Sequence, residues 1–231
     1  MAFGAVTWCF ELPGASAQGT HEQMTYVMTA IPVCILAGGG SRRFGSPKGL
    51  AEIGGTSLIA RVIDRVSRQT NAEIVINAAV DGAYGGLGLP IVPDALGSDL
   101  GPLAGVHAAM VWGAGQGSER VATIALDTPF LPADLLSRLE SEGAPAIAAS
   151  DGRHHPVIGL WPCSMAGELA AYIAQGRRSA HGWAEACGAR AAVFENAESG
   201  RDPFWNINTI DELEDARKAA ADTAGDRPEK G

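Results

Sequence analysis

Residues 36–50 read LAGGGSRRFGSPKGL. They continue the apolar run 31–37, which has the unbroken hydrophobicity of a strand buried on both faces of a parallel sheet. Gly38, Gly39 and Gly40 end that run, and Arg42, Arg43 and Lys48 follow. A plain strand-to-helix turn needs one or two glycines and no lysine. Three glycines in a row let backbone N–H groups approach an anion without side-chain obstruction. The nearby cations offset the charge of a polyphosphate and the charge that grows during its transfer. This order predicts an anion-binding loop at the carboxyl end of a parallel strand.

On either side of the loop, strand and helix patterns alternate. A helix over 57–68 puts Leu58, Val62, Ile63 and Val66 on one face. Strands are predicted at 73–77, 89–92 and 121–126, and helices at 103–112 and 132–142, the latter with Pro132 near its start, where a missing N–H costs nothing. Strands at 145–150 and 156–161 flank a polar turn, Asp151-Gly152-Arg153. Helices at 165–175 and 180–187 and a late strand at 191–194 follow. The helix at 209–220 opens on a capping box, Thr209 with Glu212. The alternation implies an α/β fold: a three-layer, Rossmann-like, mostly parallel sheet with helices on both faces. Ligands of such sheets bind at the carboxyl ends of the strands, where the glycine loop, Asp94 and Asp127 fall.

Residues 1–30 show no periodicity, and Glu11 and the missing basic region argue against a signal peptide. They are expected to be a disordered leader or an upstream start. One domain is expected over 31–220, with a polar, disordered tail at 221–231. The length, 231 residues, suits a single domain, and 46 % hydrophobic residues supply its core. A net charge of −9, from 17 basic and 26 acidic residues, argues against a nucleic-acid or anionic-membrane surface. No apolar run approaches the roughly 20 residues of a membrane span. Cys9, Cys34, Cys163 and Cys187 form no C-x-x-C pair and no zinc spacing with histidine, which fits reduced thiols in a cytoplasmic protein.

The loop departs from two familiar phosphate motifs. Gly40 and Gly45 have Walker A spacing, but Ser46 stands where that motif has lysine; Arg43 replaces the third glycine of a dinucleotide fingerprint. What remains, L-x-G-G-x-S-x-R-x-G-x-x-K, resembles the nucleotidyltransferases of the nucleotide-diphospho-sugar transferase type. Within them the chain resembles the molybdenum cofactor guanylyltransferase (MobA) family. Further pieces carry the resemblance in the same order: GPLAG at 101–105, LDTPFLP at 126–132, HPVIGLW at 155–161 and FWNINTIDEL at 204–213. Phe44 stands where that family usually has Met, and Leu126 where Cys is frequent.

The resemblance implies transfer of GMP from GTP to molybdenum-molybdopterin with Mg²⁺ and release of pyrophosphate. Molybdoenzyme-maturation proteins are further candidate partners. Leu36, Ala37, Gly38 and Gly39 are expected at the nucleotide, Lys48 and Arg43 at the phosphates, Asn77 and Asp94 as nucleotide contacts, and Asp127 as the magnesium ligand. Gly101, Pro102, His155, Asn206 and Asn208 are expected on the pterin side. Cytidylyl transfer to the same acceptor, nucleotidyl transfer to a sugar phosphate, and a GTP-binding adaptor without turnover are the alternatives. Intact Lys48 and Asp127 favour an enzyme.

The residues themselves leave other roles open. An aspartate ending a buried strand is costly unless paired, which suits a metal, but Thr128-Pro129 behind Asp127 also suits a helix N-cap. Asp94 follows a proline and reads equally as a turn residue, and Asn77 as a backbone cap. Gly101-Pro102 either simply opens a helix or turns that helix's N-terminus toward the second substrate. His154 and His155 are adjacent, so on a strand they face opposite ways and do not share one metal. Asn206 and Asn208 share a face if extended, aimed at a polar ligand or capping the helix behind them.

Overall fold

The computed structural model describes residues 28–38, 47–80, 82–97, 100–196 and 200–225. In chain order the elements are β1 (Val33–Leu36), the hairpin β2 (Glu52–Ile53) and β3 (Thr56–Ser57), α1 (Leu58–Ser67), β4 (Ile74–Asn77), β5 (Ile91–Val92), α2 (Pro102–Gly115) and β6 (Arg120–Ala125). Then come α3 (Leu135–Glu142), β7 (Ala146–Ser150), β8 (Arg153–Pro162), α4 (Ala166–Ala174), α5 (Ala180–Ala186), β9 (Arg190–Phe194) and α6 (Ile210–Gly225). Seven strands form one sheet in the order β5-β4-β1-β6-β8-β7-β9.

Strand alternation sorts the side chains into two cores. Val33 and Ile35 of β1, Ile76 of β4 and Ile124 of β6 meet α1 and α3 through Ile59, Val62, Val66, Leu135 and Leu139. Cys34, Val75, Val121 and Trp161 point the other way, onto Leu103, Val106 and Met110 of α2 and onto Leu169 and Trp183 of α4 and α5. Burial raises the Cys34 thiol to about 12, so it stays a neutral packing group. A third cluster, Ile53, Leu58, Ile207, Leu213 and Ala216, packs α6 on the small hairpin. The expected three layers are therefore present.

Four of the six pairings in the sheet are parallel, and β8 is the exception, antiparallel to both β6 and β7. The reason is local. Asp151 (φ 48°) and Gly152 (φ 72°) make a two-residue turn of positive φ, and so short a link joins only antiparallel strands. Because β7 and β6 both run antiparallel to β8, Ser150 at the end of β7 lies on the same sheet edge as the ends of β1 and β6.

Other boundaries differ from expectation. The helix predicted from Pro132 begins at Leu135. Gln69, buried in the turn that follows α1, takes both roles there: its Nε2 donates to Pro132 O at 2.9 Å and its Oε1 accepts from Leu136 N at 3.0 Å, satisfying an N-terminal amide that the helix cannot. The tail expected to begin at 221 starts inside a helix, since α6 runs to Gly225. At the other end, Thr29 is buried and bridges Thr70, with its N–H on Gln69 O at 2.9 Å, so the domain starts before residue 31. Among the described residues no helix is long and apolar enough to cross a membrane.

Candidate active site

The carboxyl ends of β1, β4 and β6 bring most of the expected residues together. Ala37 leaves β1 with its N–H on Asn77 O at 2.9 Å. Gly39 and Arg43, with most of the glycine loop, fall outside the described residues. The loop's far end is a short helical turn, Lys48–Leu50, that sits directly against the sheet. It gets there because Gly49 has no side chain: a Cβ at Gly49 would come within 2.8 Å of the Tyr84 hydroxyl and 2.9 Å of Leu126 Cδ1. The close approach carries the Lys48 ammonium to Asp127.

Lys48 Nζ lies 2.9 Å from Asp127 Oδ2 and 2.9 Å from Asn208 Oδ1. The two charged side chains are 15 % and 24 % exposed, dry enough to interact strongly and open enough to meet a ligand. Asp127 is no cap of α3, which begins only at Leu135. Its own carbonyl accepts Ile207 N–H at 2.9 Å, which stitches the late segment 205–208 to the end of β6. Ile207 goes into the third core cluster, so Asn206 and Asn208 on either side of it face outward. Both are exposed, and Asn208 meets the lysine.

The capping box is formed and does more than cap. Glu212 Oε2 accepts Thr209 N–H at 2.9 Å and Asn208 N–H at 2.6 Å, while Glu212 N–H donates to Thr209 Oγ1 at 3.1 Å. These bonds, the one from Asn208 first, hold the Glu212 carboxyl below its ordinary range, with Lys48 adding to the effect. Glu212 thereby fixes the backbone from which Asn208 reaches Lys48.

A second arm lies at β4. Asn77 is buried, and its Nδ2 donates to Val92 O at 3.0 Å and to Asp94 Oδ1 at 2.9 Å. Both amide hydrogens are used, so here Asn77 aims the exposed Asp94. Gly105 of α2 makes this possible, because a Cβ there would fall 2.5 Å from Asn77 Oδ1. Gly101, at φ 72°, and Pro102 turn the chain into α2, bringing its first turn beside Asn77 and Leu36.

Residues 33–191 match the family model of the MobA-like NTP transferase domain. The chain belongs to the MobA-like NTP transferase family. It is a nucleotidyltransferase. It is 40 % identical over 193 residues to a molybdenum cofactor guanylyltransferase of Rhizobium leguminosarum bv. trifolii (strain WSM2304), across 80 % of this chain and 90 % of that one. Against the molybdenum cofactor guanylyltransferase of Rhodobacter capsulatus the identity is 43 % over 181 residues, across 78 % and 90 %. Among solved structures, molybdopterin-guanine dinucleotide biosynthesis protein A from Archaeoglobus fulgidus is 25 % identical with a TM-score of 0.62, across 83 % of this chain and all of that one, 100 %.

In this MobA-like transferase a further polar cluster occupies the same sheet edge at β7. Ser150 Oγ donates to Asp202 Oδ1 at 2.7 Å and lies 2.7 Å from His155 Nε2. A hydroxyl has one proton, and it goes to the carboxylate, so His155 carries its hydrogen on Nε2 and donates it to Ser150. This connectivity is not that of a nucleophilic triad, in which histidine stands between serine and aspartate. Asp202 also accepts Phe204 N–H at 2.9 Å, and the His155 ring lies 4.8 Å from that of Phe204. Burial lowers the His155 pKa, against the opposing pull of Asp202. His154, its neighbour, is exposed.

Sequence reasoning missed Ser150, Asp202 and the role of Gly49. Asp202-Pro203 is a turn signal, and P-K-G-L offers a glycine beside the key lysine, but neither says what it packs against. Among the described residues no three His, Cys, Asp or Glu side chains cluster as a metal cage. One carboxylate, Asp127, and one amide oxygen, Asn208, instead form a partial donor set of the kind a hard divalent cation completes with water and substrate phosphates.

Proposed function

We propose that the protein transfers GMP from GTP to the terminal phosphate of molybdenum-molybdopterin and releases pyrophosphate. The observation that carries this reading is the Lys48 ammonium held between Asp127 and Asn208 at the carboxyl edge of the central strands, in a chain whose relatives bear the name molybdenum cofactor guanylyltransferase. The pterin phosphate is already an anion, so it attacks without a general base. Its oxygen forms a bond to the α-phosphorus of GTP as the bond to the β-phosphate oxygen breaks, and the electron pair leaves on pyrophosphate. Catalysis is then positioning and charge neutralisation.

Lys48 and Arg43 balance the phosphate charge. Asp127 and Asn208 hold the divalent metal, Mg²⁺; their hard oxygens suit it, and they already hold one cation, the lysine's. When bound, the ion offsets charge on the phosphate oxygens. Leu36, Ala37, Gly38 and Gly39 line base and ribose, and Asp94, aimed by Asn77, accepts hydrogen bonds from the nucleoside. Asn206, Gly101 and Pro102 face the pterin, while His155 anchors the Ser150 cluster beside them. The product passes in the cytoplasm to molybdoenzymes or their maturation proteins.

The test is pyrophosphate release from GTP, CTP, ATP or UTP in turn, with Mg²⁺ and molybdenum-molybdopterin. GTP supports turnover and CTP almost none. Equal rates with GTP and CTP would remove the guanylyl assignment and leave a broader nucleotidyltransferase.

A further inference from the structure

The Lys48 ammonium stands where two oxygens from distant segments converge, at 2.9 Å from each. Both oxygens are carried on anchored backbone. The Asp127 backbone is tied to Ile207, and the Asn208 backbone is held by Glu212. Lysine is the adaptable partner, a compact charge on a four-carbon stem. Divalent cations sit about 2.0–2.6 Å from their oxygen ligands, so a pair that embraces an ammonium needs only a small inward movement to embrace a metal. Lysine and metal cannot occupy that point together.

We propose that Lys48 is a built-in placeholder for the divalent cation. In the nucleotide-free protein it fills the seat between Asp127 and Asn208, which keeps the partly buried Asp127 carboxylate neutralised and keeps the metal out. Nucleotide phosphates offer the ammonium a more highly charged partner, and Lys48 leaves the seat as the metal arrives with them. Metal and nucleotide therefore bind with positive coupling, and the free protein holds divalent ions weakly. The proposal rests on the reading of Asp127 and Asn208 as metal ligands.

Mn²⁺ binding to nucleotide-free protein, followed by the electron paramagnetic resonance of the free ion, tests it directly. Lys48→Met keeps the stem and removes the charge, and Lys48→Gln is a second variant should the first fold poorly in a thermal melt. Both are expected to bind Mn²⁺ roughly tenfold to a hundredfold more tightly than the natural protein, the scale of one charge-assisted contact. Adding Asp127→Asn to either is expected to erase the gain. Tight Mn²⁺ binding by the natural protein, or no gain in the folded Lys48 variants, overturns the placeholder. The metal reading is tested separately with GTP present. If Asp127→Asn alone leaves Mn²⁺–GTP binding unchanged, the ligand assignment fails and the placeholder fails with it. If Asp127→Asn weakens that binding while the Lys48 variants show no gain, only the placeholder fails.

Discussion

Two polar clusters share one edge of the sheet and differ in how they are satisfied. At the ends of β1 and β6, Lys48, Asp127 and Asn208 form a network with a formal charge on two members and part of each open to solvent. At the end of β7, Ser150 is fully buried, its hydroxyl is used in both directions, and Asp202 is engaged by Ser150 and by the Phe204 amide. The first arrangement has capacity left for a ligand. The second is closed on itself and ties segment 202–208, the strip carrying Asn206 and Asn208, to the sheet. Proximity to the strand ends is thus not enough to mark a reacting group; spare bonding capacity separates the two. If so, substitutions in the first cluster should reduce chemistry at nearly constant stability, and those in the second the reverse.

The largest effect belongs to Asp127→Asn. The amide keeps the shape and removes the charge proposed to fix the metal. Turnover should fall by at least about a hundredfold, the scale of losing one preorganised charge contact at a transferring group, while metal-dependent GTP binding weakens by a smaller factor and melting temperature changes little. Turnover and GTP affinity across a Mg²⁺ titration measure it. Near-normal turnover with unchanged Mg²⁺ dependence would merge the two clusters into one class of structural anchors. Next is Lys48→Ala, which should weaken GTP binding and turnover alike by roughly tenfold to a hundredfold.

Gly49→Ala should sharpen the contrast from the packing side. Its new methyl meets Tyr84 and Leu126, so the turn must retreat and take Lys48 with it. Overpacking of this kind costs about 1–3 kcal/mol, and turnover should drop in the same variant. Loss of stability with full activity would show that the lysine reaches the site without help from the close approach.

Legibility followed the range of each signal. β1, α1, β4 and β6 were readable because a buried strand or an amphipathic helix repeats its cue within a few residues; α2, apolar on nearly every side, was marked instead by Gly101-Pro102 at its start. The Thr209–Glu212 box was readable because both halves lie within one turn. The direction of β8 was present in Asp151-Gly152 but needed the turn taken as a two-residue hairpin rather than a polar spacer. The meeting of Lys48 with Asn208 was not legible: the partners are 160 positions apart, and no local pattern in either mentions the other. The same holds for Ser150 and Asp202. The start of α3 was misplaced because Gln69, far away in sequence, takes the Pro132 carbonyl and the Leu136 N–H as its own partners.

Ser150→Ala belongs to the second cluster. It deletes a buried hydroxyl and leaves the Asp202 carboxylate with one partner fewer, at a cost of about 1–3 kcal/mol. A chemical-denaturation curve should show that loss, while turnover at saturating substrate stays within a few-fold. A large fall in saturated turnover, with stability intact, would move this cluster into the reacting machinery.

The smallest effect concerns His155 and depends on pH. Burial favours its neutral form, so its folded pKa lies below the ordinary value of about 6.5 shown by an unfolded chain. Below that ordinary value the unfolded chain takes up a proton that the folded one does not, and stability falls as pH drops; the fall ends once pH passes the folded pKa and both states are charged. His155→Gln provides a control. A glutamine amide can donate to Ser150 as Nε2–H does, and it does not titrate. Denaturation curves of the two proteins should therefore nearly coincide at pH 7.5 and diverge at pH 5.5, with the variant losing less. Parallel curves would mean that the histidine is not held neutral by its surroundings. A changed apparent affinity for the pterin substrate at pH 7.5, with stability unaltered, would instead mean that the ring faces a ligand as well as Ser150, and that the closed cluster has one open side.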